Sequence, residues 1–212
     1  MNGEGALAVW NDCTPGCESN YENWYQTEHL PERLGVPGFR RGRRYQAIQG
    51  SPKFFTWYEV DSPDTLRSDD YKKCLSNPTR WTREIMEGVF VNASRTVCKR
   101  EIIAGETFGS VAVTVRLNKD SNDQKLVQSA LEDLYNGATI ARIEKWTADE
   151  KNNTGAMEEE SIRGPDQKID LCFVLETMRI DEATSIAKGL AHNFTEATIG
   201  VYRLLCERPN LS

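Results

Sequence analysis

The order of predicted secondary-structure elements occurs twice along this chain. In the first half a strand, a helix, two strands, a helix and a strand follow one another, at about 5–11, 18–34, 38–48, 53–60, 63–87 and 90–102. The second half repeats this order at about 108–117, 123–137, 138–146, 168–176, 181–194 and 197–207. Val111, Val113 and Val115, for example, alternate with smaller or polar neighbours, as a half-buried strand requires. This repetition of a βαββαβ order constrains the fold more than any single motif.

We therefore predict an α+β protein of two tandem ferredoxin-like units, residues 1–104 and 105–212, that meet near residues 102–107. Each unit would be an antiparallel sheet with two helices on one face. The free sheet faces are covered most simply if one sheet packs face to face on the other, which makes an α+β barrel within one chain. The barrel interior is then the expected location of a ligand pocket.

The polar segment 149–167, DEKNNTGAMEEESIRGPDQ, has only the short segment IQGSPK as its counterpart in the first half. It contains nothing apolar enough to bury, so we predict a mobile surface loop. Its acidic run, Glu158 to Glu160, is interpreted as a solvated face rather than a metal site. Two helix boundaries are also marked: a break at Asn77–Pro78, and a C-terminal end at Asn136–Gly137.

The charge balance limits the partners of the chain. Its 212 residues carry 26 basic and 32 acidic side chains, a net charge of -6, which argues against binding to nucleic acid or to an anionic membrane surface. No run approaches the ~20 apolar residues of a membrane span. The N-terminus also lacks a signal-peptide pattern, so we predict a cytoplasmic protein. A local basic run, interpreted as a solvated strand face or an anchor for an acidic substrate, comprises Arg40, Arg41, Arg43 and Arg44.

The six cysteines are expected to be reduced thiols in that compartment. Cys13 and Cys17, in CTPGC, have the spacing of two zinc ligands, but no second Cys or His pair at metal spacing follows them. The alternative is a Pro-Gly turn before a helix. Because a nucleotide-binding glycine motif is also missing, we predict no metal and no cofactor.

The segment YENWYQTEHLPERLGVPGF, residues 21–39, places His29, one of two histidines, among large aromatics. One helix face, an arc of roughly 140°, carries Trp24, Glu28, Tyr21, Glu32, Tyr25 and His29. We predict that this face packs toward the sheet while the amides opposite it face water. Pro31 cannot donate a hydrogen bond to the carbonyl of Thr27, so the helix should kink or restart there.

A histidine beside tyrosine and tryptophan is often only a packed core residue. The second half weighs against this alternative, because its first helix, around Leu126 to Tyr135, has neither histidine nor tryptophan. The architecture therefore does not require such a cluster. The other histidine, His192, lies off the apolar stripe of its helix and is predicted at the surface.

The strands after the helix supply further candidate residues. On one strand, alternation places Phe54, Thr56 and Tyr58 on one face and Phe55, Trp57 and Glu59 on the other. On the preceding strand, Phe39, Arg41, Arg43, Tyr45 and Ala47 lie opposite Arg40, Gly42, Arg44 and Gln46. The sequence leaves open which face of each strand lines the barrel.

Three segments together resemble the EthD-like branch of the dimeric α+β barrel superfamily: NWYQTEHLPERLGVPGFRRGRRY, FFTWYEVDSPDTL and NPTRWTREIMEGVFVNASR. The resemblance rests on a Trp/Tyr-x-x-x-His-like helix, a Pro-Gly-Phe strand entry and a Tyr-Glu-Leu-like strand, and it covers about residues 5–102. It implies a small barrel cavity of the kind used by cofactor-free isomerases, cyclases, lyases and monooxygenases. It also implies that the second half is a diverged copy that supplies the partner sheet. Some two-unit relatives bind haem through a histidine of the second half, a role for which His192 is poorly placed.

The leading hypothesis is a cofactor-independent lyase or isomerase/cyclase acting on a small hydrophobic or oxygenated compound, such as an aromatic, oxo-acid or polyketide-like molecule. His29 would be its general acid or base, near the ordinary histidine pKa of about 6.5. The candidates to orient or share its proton are Tyr25, Tyr58 and Glu59. Arg41 or Arg43 would bind a carboxylate or enolate oxygen. The remaining candidate substrate-binding residues are Tyr21, Trp24, Phe55, Trp57 and Trp81.

Two alternatives remain at this stage: a non-catalytic small-molecule binding protein in which His29 is a wall residue, and a haem-binding barrel protein. The tandem copy already pairs the sheets that identical chains would otherwise provide. The chain is therefore expected to be a monomer or a homodimer.

Overall fold

The structure is a computed structural model that describes residues 2–136, 138–153 and 158–210, with the backbone only for residue 158. The strands within these residues are β1 (Gly5–Cys13), β2 (Phe39–Gln49), β3 (Phe54–Val60), β4 (Phe90–Ala104), β5 (Val111–Leu117), β6 (Ile140–Ala148), β7 (Leu171–Thr177) and β8 (Thr198–Pro209). The helices are α1 (Glu18–Trp24), α2 (Leu30–Leu34), α3 (Asp69–Ser76), α4 (Arg80–Gly88), α5 (Gln124–Leu134), α6 (Glu158–Arg163) and α7 (Ile180–Asn193). Single-turn 3-10 helices lie at Pro63–Arg67 and Glu150–Asn153.

The strands form one closed barrel in the order β1-β3-β2-β8-β5-β7-β6-β4, and all neighbours are antiparallel. The predicted α+β barrel is thus confirmed as a closed antiparallel barrel of eight strands. The two four-stranded sheets also join edge to edge, because β2 pairs with β8 and β4 pairs with β6. Closure in this way leaves no free sheet edge. The strand β4 ends at Ala104, which is the predicted boundary between units 1–104 and 105–212. The division into two separate units remains a prediction.

Local capping explains where the second helical segment of the first half breaks. The predicted break at Asn77–Pro78 lies between α3 and α4, and each helix begins at a hydroxyl cap. The Ser68 hydroxyl accepts the Tyr71 N–H at 3.2 Å, and the Thr79 hydroxyl accepts the Thr82 N–H at 3.0 Å. These hydroxyls satisfy backbone donors that a helix start leaves free.

The buried side chains form three packed groups. One lies between the first-half helices and the outer face of β1 to β4, and a second lies between α5, α7 and the outer face of the second-half strands. The third fills the barrel interior. Each strand therefore contributes alternate residues to a helix-facing layer and to the barrel.

The insert 149–167 differs from its prediction. Its residues 158–163 form α6, and the half-buried Ile162 packs against the helix-facing core of the first half. The buried polar residues of the insert are Asp149, Asn152, Glu159 and Asp166. The acidic run is therefore not simply a solvated face, because Glu159 is 8% exposed. Residues 154–157 lie outside the described residues, as does Gly137, the predicted cap after α5; the mobility of the insert remains a prediction.

Candidate functional site

Pro31 determines the shape of the helix that carries His29. The helix does not stop at the proline: α1 passes into a π-helical turn, Tyr25–His29, and α2 follows directly. The Leu30 N–H donates to the carbonyl of Tyr25, the longer bond that defines a π turn. The predicted kink or restart is therefore a π bulge, a feature frequent at functional sites.

The predicted buried face of this helix is confirmed. The exposed fractions of Tyr21, Trp24, Tyr25 and His29 are 0%, 0%, 1% and 6%. The opposite face, which consists of Asn20, Asn23, Gln26 and Thr27, is exposed. The helix amphipathicity alone thus positions the histidine against the sheet.

His29 is held between two aromatic rings. Its ring centroid lies 4.4 Å from that of Trp24, in a tilted stack, and 4.9 Å from that of Tyr25, edge to face. The Nδ1 atom is buried and has no hydrogen-bond partner among the described residues. A buried, unpartnered ring nitrogen is unusual in a purely structural histidine, because leaving it unsatisfied costs about 1–3 kcal/mol.

The electrostatic environment keeps this imidazole neutral. Burial lowers the pKa of His29 well below 6.5, and the positive charge of Arg33 lowers this pKa further, while the Glu159 carboxylate acts in the opposite direction. The expectation of a pKa near the ordinary value is therefore wrong. Near neutral pH the ring is neutral, so it can accept a proton but cannot act as an imidazolium acid.

The phenolic hydroxyls around His29 are paired. Tyr58 donates to the Tyr25 oxygen at 3.2 Å, and Tyr21 exchanges hydrogen bonds with the Asn11 amide at 2.9 and 3.1 Å. Burial raises the pKa of Tyr21 and Tyr25, and raises that of Tyr58 well above its ordinary value. These groups therefore stay protonated and act as hydrogen-bond donors.

The two predicted tryptophans of this region differ in position. The Trp24 indole N–H donates to the Thr82 hydroxyl at 3.0 Å, and this hydroxyl donates to the Glu28 carboxylate at 2.8 Å. These bonds fix the ring that stacks on His29. Trp81 is half-buried at the surface of α4, where its N–H donates to the Asn20 side chain at 3.1 Å.

A cluster of arginines around one carboxylate adjoins His29, and the sequence analysis missed it. Arg33 donates to Glu159 at 2.6 Å, and Arg163 lies 3.5 Å from the other oxygen of this carboxylate. Together with Arg95, these cations hold the pKa of Glu159 at about 2, although burial opposes the shift. Arg33 could have been found, because it follows His29 by four residues on the same helix face. Glu159 gave no local signal.

Two cavities meet at this ion pair. The smaller, of about 20 Å³, has room for about one water molecule. Its polar lining consists of Tyr25, Tyr58, Tyr71, His29, Glu159 and the arginines 33, 95 and 163. The larger cavity, of about 420 Å³, lies between α2, α3, α4 and α6, and its lining includes Cys74, Leu75 and Ile162. Arg33 and Glu159 line both cavities and therefore form the wall between them. Glu159 and Arg163 belong to the second half, so the site is not confined to the first half.

The structure divides the predicted site residues between two faces of one sheet. Tyr21, Trp24, Tyr25, His29 and Tyr58 lie on the helix side. Phe55, Trp57, Glu59 and Arg43 lie in the barrel, where half-exposed Arg41 also points at one end. A bulge in the β2–β3 pairing between Phe39 and Arg41 puts Phe39 on the helix side, so the predicted alternation fails there. The two groups therefore do not share a pocket.

Among the described residues, the barrel interior is filled by side chains rather than by a pocket. Phe55 stacks on Trp10 with a centroid distance of 4.6 Å and contacts Tyr45, Trp146 and Tyr202 at 5.3, 6.1 and 5.5 Å. An eight-stranded barrel is just wide enough for such filling. The expected pocket inside the barrel is thus replaced by an aromatic core.

Glu59 belongs to an ion-pair network at one end of this core. Its carboxylate accepts the Gly3 N–H at 2.6 Å, Arg41 at 2.8 Å and Arg100 at 3.0 Å. Arg100 also binds Glu144, at 2.5 and 2.6 Å. In the same region Arg43 pairs with Glu176, which also accepts the Tyr45 hydroxyl and the Gly109 N–H. These groups neutralise one another and face away from His29.

The second half has no counterpart of the His29 cluster within its described residues. Its helix α5 buries Val127 and Leu131, and α7 buries Ala183, Ala187 and Leu190. The predicted exposure of His192 is confirmed.

Metal binding by the described residues is not indicated. No group of three His, Cys, Asp or Glu side chains in that part of the chain is arranged to hold a metal ion. CTPGC forms the predicted turn: the Cys17 N–H donates to the Thr14 carbonyl at 3.0 Å, and Gly16 has a φ of 86°. None of the helices described is long and apolar enough to cross a membrane.

Comparison with known proteins shows the fold. No family model and no curated protein matches the chain. Among solved structures, it is similar to a putative monooxygenase from Fusobacterium nucleatum, with a TM-score of 0.59, 11% identity and coverage of 99% of this chain and 96% of that one. An anthrone oxidase-like protein has a TM-score of 0.58 and 12% identity, with 98% and 93% covered. A haem-binding protein from Thermus thermophilus has a TM-score of 0.50 and 8% identity, with 97% and 92% covered. The chain therefore shares the fold of these proteins, here a closed antiparallel barrel of eight strands with helices on its outer face.

The described residues do not fit a haem group. A haem needs an axial ligand, commonly histidine, beside a space for the macrocycle. His29 lines a cavity of about 20 Å³, and His192 is exposed on α7. Neither histidine is therefore placed to hold a haem iron.

Proposed function

We propose that the chain is a cofactor-independent enzyme of small-molecule metabolism, a lyase or isomerase/cyclase, in which His29 is the general base. The observation that carries this proposal is the buried imidazole with its unpartnered Nδ1, which lines a cavity beside tyrosine hydroxyls and guanidinium groups. Perturbed titratable groups that converge on a cavity are a signature of active sites.

The surrounding groups favour abstraction of a proton next to a carbonyl. Neutral His29 would accept the proton, and protonated Tyr25, whose oxygen accepts the Tyr58 hydroxyl, would donate a hydrogen bond to the enolate oxygen that develops. The Arg33 charge would stabilise that oxyanion. Because the low pKa of His29 makes it a weak base, the substrate should carry an acidic C–H or O–H group.

The substrate would occupy the helix-facing cavities and not the barrel. The cavity of about 420 Å³ has the size of a typical small-ligand site, and its lining combines apolar Leu75, Pro78 and Ile162 with polar Thr82 and Arg33. A small aromatic, oxo-acid or polyketide-like compound fits this volume and chemistry. The pocket and roles predicted for Glu59, Arg41, Arg43, Phe55 and Trp57 are replaced in this proposal by a structural role in the barrel.

The finer assignment of the fold is part of the same proposal. The strand orders β2-β3-β1-β4 and β6-β7-β5-β8 support two ferredoxin-like units, residues 1–104 and 105–212. The motifs of the first half support a place in the EthD-like branch. A cytoplasmic location is likewise proposed, on the sequence pattern alone.

A second candidate is cofactor-independent oxygenation, suggested by the names of the similar structures, a putative monooxygenase and an anthrone oxidase-like protein. The first step would be the same, because removal of a proton makes an electron-rich anion that O₂ can oxidise. Oxygen consumption with an acidic phenol or anthrone separates this reaction from isomerisation or elimination.

The test does not require a known product. The protein is incubated in D₂O with a panel of oxo acids, aromatic ketones and phenolic compounds, and loss of acidic C–H signals is followed by NMR, with O₂ uptake measured in parallel. We expect protein-dependent exchange for one chemical class, lowered roughly 100-fold in His29→Gln and unchanged in His192→Gln. A folded His29→Gln protein with full exchange or uptake would remove His29 from the mechanism. Binding of a panel compound without exchange or O₂ uptake would favour the non-catalytic binding protein.

A further inference from the structure

The Glu159 carboxylate lies within a cluster of arginine side chains. Glu159 is 8% exposed, and its carboxylate contacts Arg33 at 2.6 Å and Arg163 at 3.5 Å. The Arg95 guanidinium lines the same small cavity and donates to the Tyr71 hydroxyl at 3.0 Å. A planar carboxylate facing guanidinium groups is the geometry that arginine recognises best.

One of the three cations has no carboxylate of its own. Arg163 is held by Asp166 through two bonds of 3.0 and 2.7 Å, and Arg33 is held by Glu159 at 2.6 Å, with the Glu32 carboxylate 3.9 Å away. Arg95 pairs with no carboxylate in the described part of the chain; it donates to the Tyr71 hydroxyl. A ligand carboxylate beside Arg95 would therefore meet a guanidinium group that no acid already holds.

The carboxylate also stands at the junction of the two cavities. The space of about 420 Å³ lies on one side of the Arg33–Glu159 pair, and the cavity of His29 lies on the other. If the Glu159 side chain moved away, the two spaces would join, and a ligand in the larger one would reach His29. The unpartnered Nδ1 of His29, a residue that lines the smaller cavity, independently indicates a place for a further hydrogen-bonding group.

We infer that the substrate carries a carboxylate, or an equivalent planar oxyanion, that replaces Glu159 on Arg33 with Arg95 and Arg163 alongside. Glu159 is then an internal competitor that keeps the arginines paired and the two cavities apart until an anionic ligand arrives. This inference rests on the proposed function only for the site that it names, because anion binding is measured without turnover.

Benzoate and its neutral isostere benzamide are suitable probes. Glu159→Ala vacates the carboxylate position, and Glu150→Ala is the matched control, because Glu150 is an exposed acid of the same insert that pairs with Lys119. By calorimetry, we expect benzoate to bind Glu159→Ala at least 10-fold more tightly than the wild type and to raise its melting temperature. Benzamide should do neither, and Glu150→Ala should behave as the wild type.

The double variant Glu159→Ala/Arg33→Gln should lose the gain in benzoate affinity, because it removes both members of the pair. Equal affinity of wild type and Glu159→Ala for benzoate, or equal gains with benzamide, would overturn the inference. If Glu159→Ala does not fold, hydrogen exchange of the α6 amides in the wild-type chain gives the answer. Exchange should rise with benzoate and not with benzamide, and its failure to rise would likewise overturn the inference.

The two proposals fail in different ways. Tight benzoate binding by Glu159→Ala with no proton exchange for any panel compound would leave the anion subsite standing and remove the catalytic role of His29. Proton exchange that depends on His29 but occurs only with neutral compounds, without any effect of benzoate, would support the catalytic role of His29 and overturn the anion subsite.

Discussion

The helix-facing layers of the two halves share a topology and differ in chemistry. In the first half the helical segment over the sheet buries Tyr21, Trp24, Tyr25, His29 and Arg33. In the second half, the equivalent helix α5 buries only Val127 and Leu131. Each layer packs a helix against antiparallel strands. Apolar side chains alone, as in α5, are enough for this packing.

The difference indicates that the polar groups of the first half serve something other than the fold. Burying a histidine, an arginine and a carboxylate costs free energy unless each is paired, and His29 is left with an unpartnered nitrogen. Natural proteins accept such local costs mainly at functional sites. The second half also contributes α6, whose Glu159 and Arg163 complete the charged cluster. The second half is therefore not independent of the first.

The largest expected effect comes from breaking the connection between the halves. Glu159→Ala leaves Arg33 buried without its main carboxylate, and removal of one member of a buried ion pair costs about 3–5 kcal/mol of unfolding free energy. Urea unfolding measures this loss. Glu150→Ala, at the exposed Lys119–Glu150 pair, should leave the unfolding midpoint unchanged. Equal midpoints for the two variants would show that α6 contributes little to the first half.

The comparison is tested directly by placing a polar side chain in the helix-facing layer of the second half and an apolar one in that of the first half. Leu131→Asn places an unpaired amide in the apolar layer and should lower the unfolding free energy by about 2–5 kcal/mol. His29→Leu removes an unsatisfied nitrogen and should change it by less than about 1 kcal/mol, or increase it, while abolishing activity. Thermal and urea unfolding of both variants provide the measurement. A His29→Leu protein as unstable as Leu131→Asn would make the histidine structural.

The pH dependence of stability separates the two histidines. The pKa of His29 is lowered in the folded state, so the unfolded chain binds the proton more readily and stability is fully present above pH 6.5. As the pH falls below 6.5, the unfolding free energy of the wild type should drop by up to about 1.4 kcal/mol per pH unit relative to His29→Gln. His192→Gln should follow the wild type. Glu159 affects the unfolding free energy at lower pH. Its pKa is lowered in the folded state, so its stabilising contribution is present above pH 4.5 and is lost as the pH falls toward about 2. Parallel curves for wild type and His29→Gln between pH 7 and 5 would contradict a buried neutral His29.

The smallest expected effect concerns the tyrosine pair. Tyr58→Phe removes the 3.2 Å hydrogen bond to Tyr25 and should cost about 0.5–1.5 kcal/mol of unfolding free energy. If Tyr58 also helps to orient a donor to the oxyanion, kcat should fall while KM changes little. An unchanged kcat would leave the pair with a packing role only.

Local patterns predicted much of this molecule. The alternation of Val111, Val113 and Val115, the break at Asn77–Pro78 and the buried arc from Tyr21 to His29 each depend on neighbours within a turn or a strand, and each is found. The strand that carries the valines is nevertheless buried on both faces rather than half-buried, because its other face lies in the barrel core. The exposure of His192 follows from the same periodicity. The interpretation of the acidic run 158–160 as a solvated face is wrong, because Glu159 is buried against Arg33, a partner far away in the chain.

Short-range periodicity along the chain was enough to predict the order of elements, the closed barrel that two such orders imply, and the helix face that carries His29. Periodicity could not predict which face of β3 lines the barrel; the packed structure places Tyr58 by His29 and Glu59 in the barrel. The tertiary structure also decided that the barrel is filled and that Glu159, 126 positions beyond Arg33, supplies the carboxylate beside the site. Alternation along a strand gives two equivalent faces, and a side chain's charge does not specify its distant partner. Both choices are made when the strands close into a ring and the insert packs against helices from the other half.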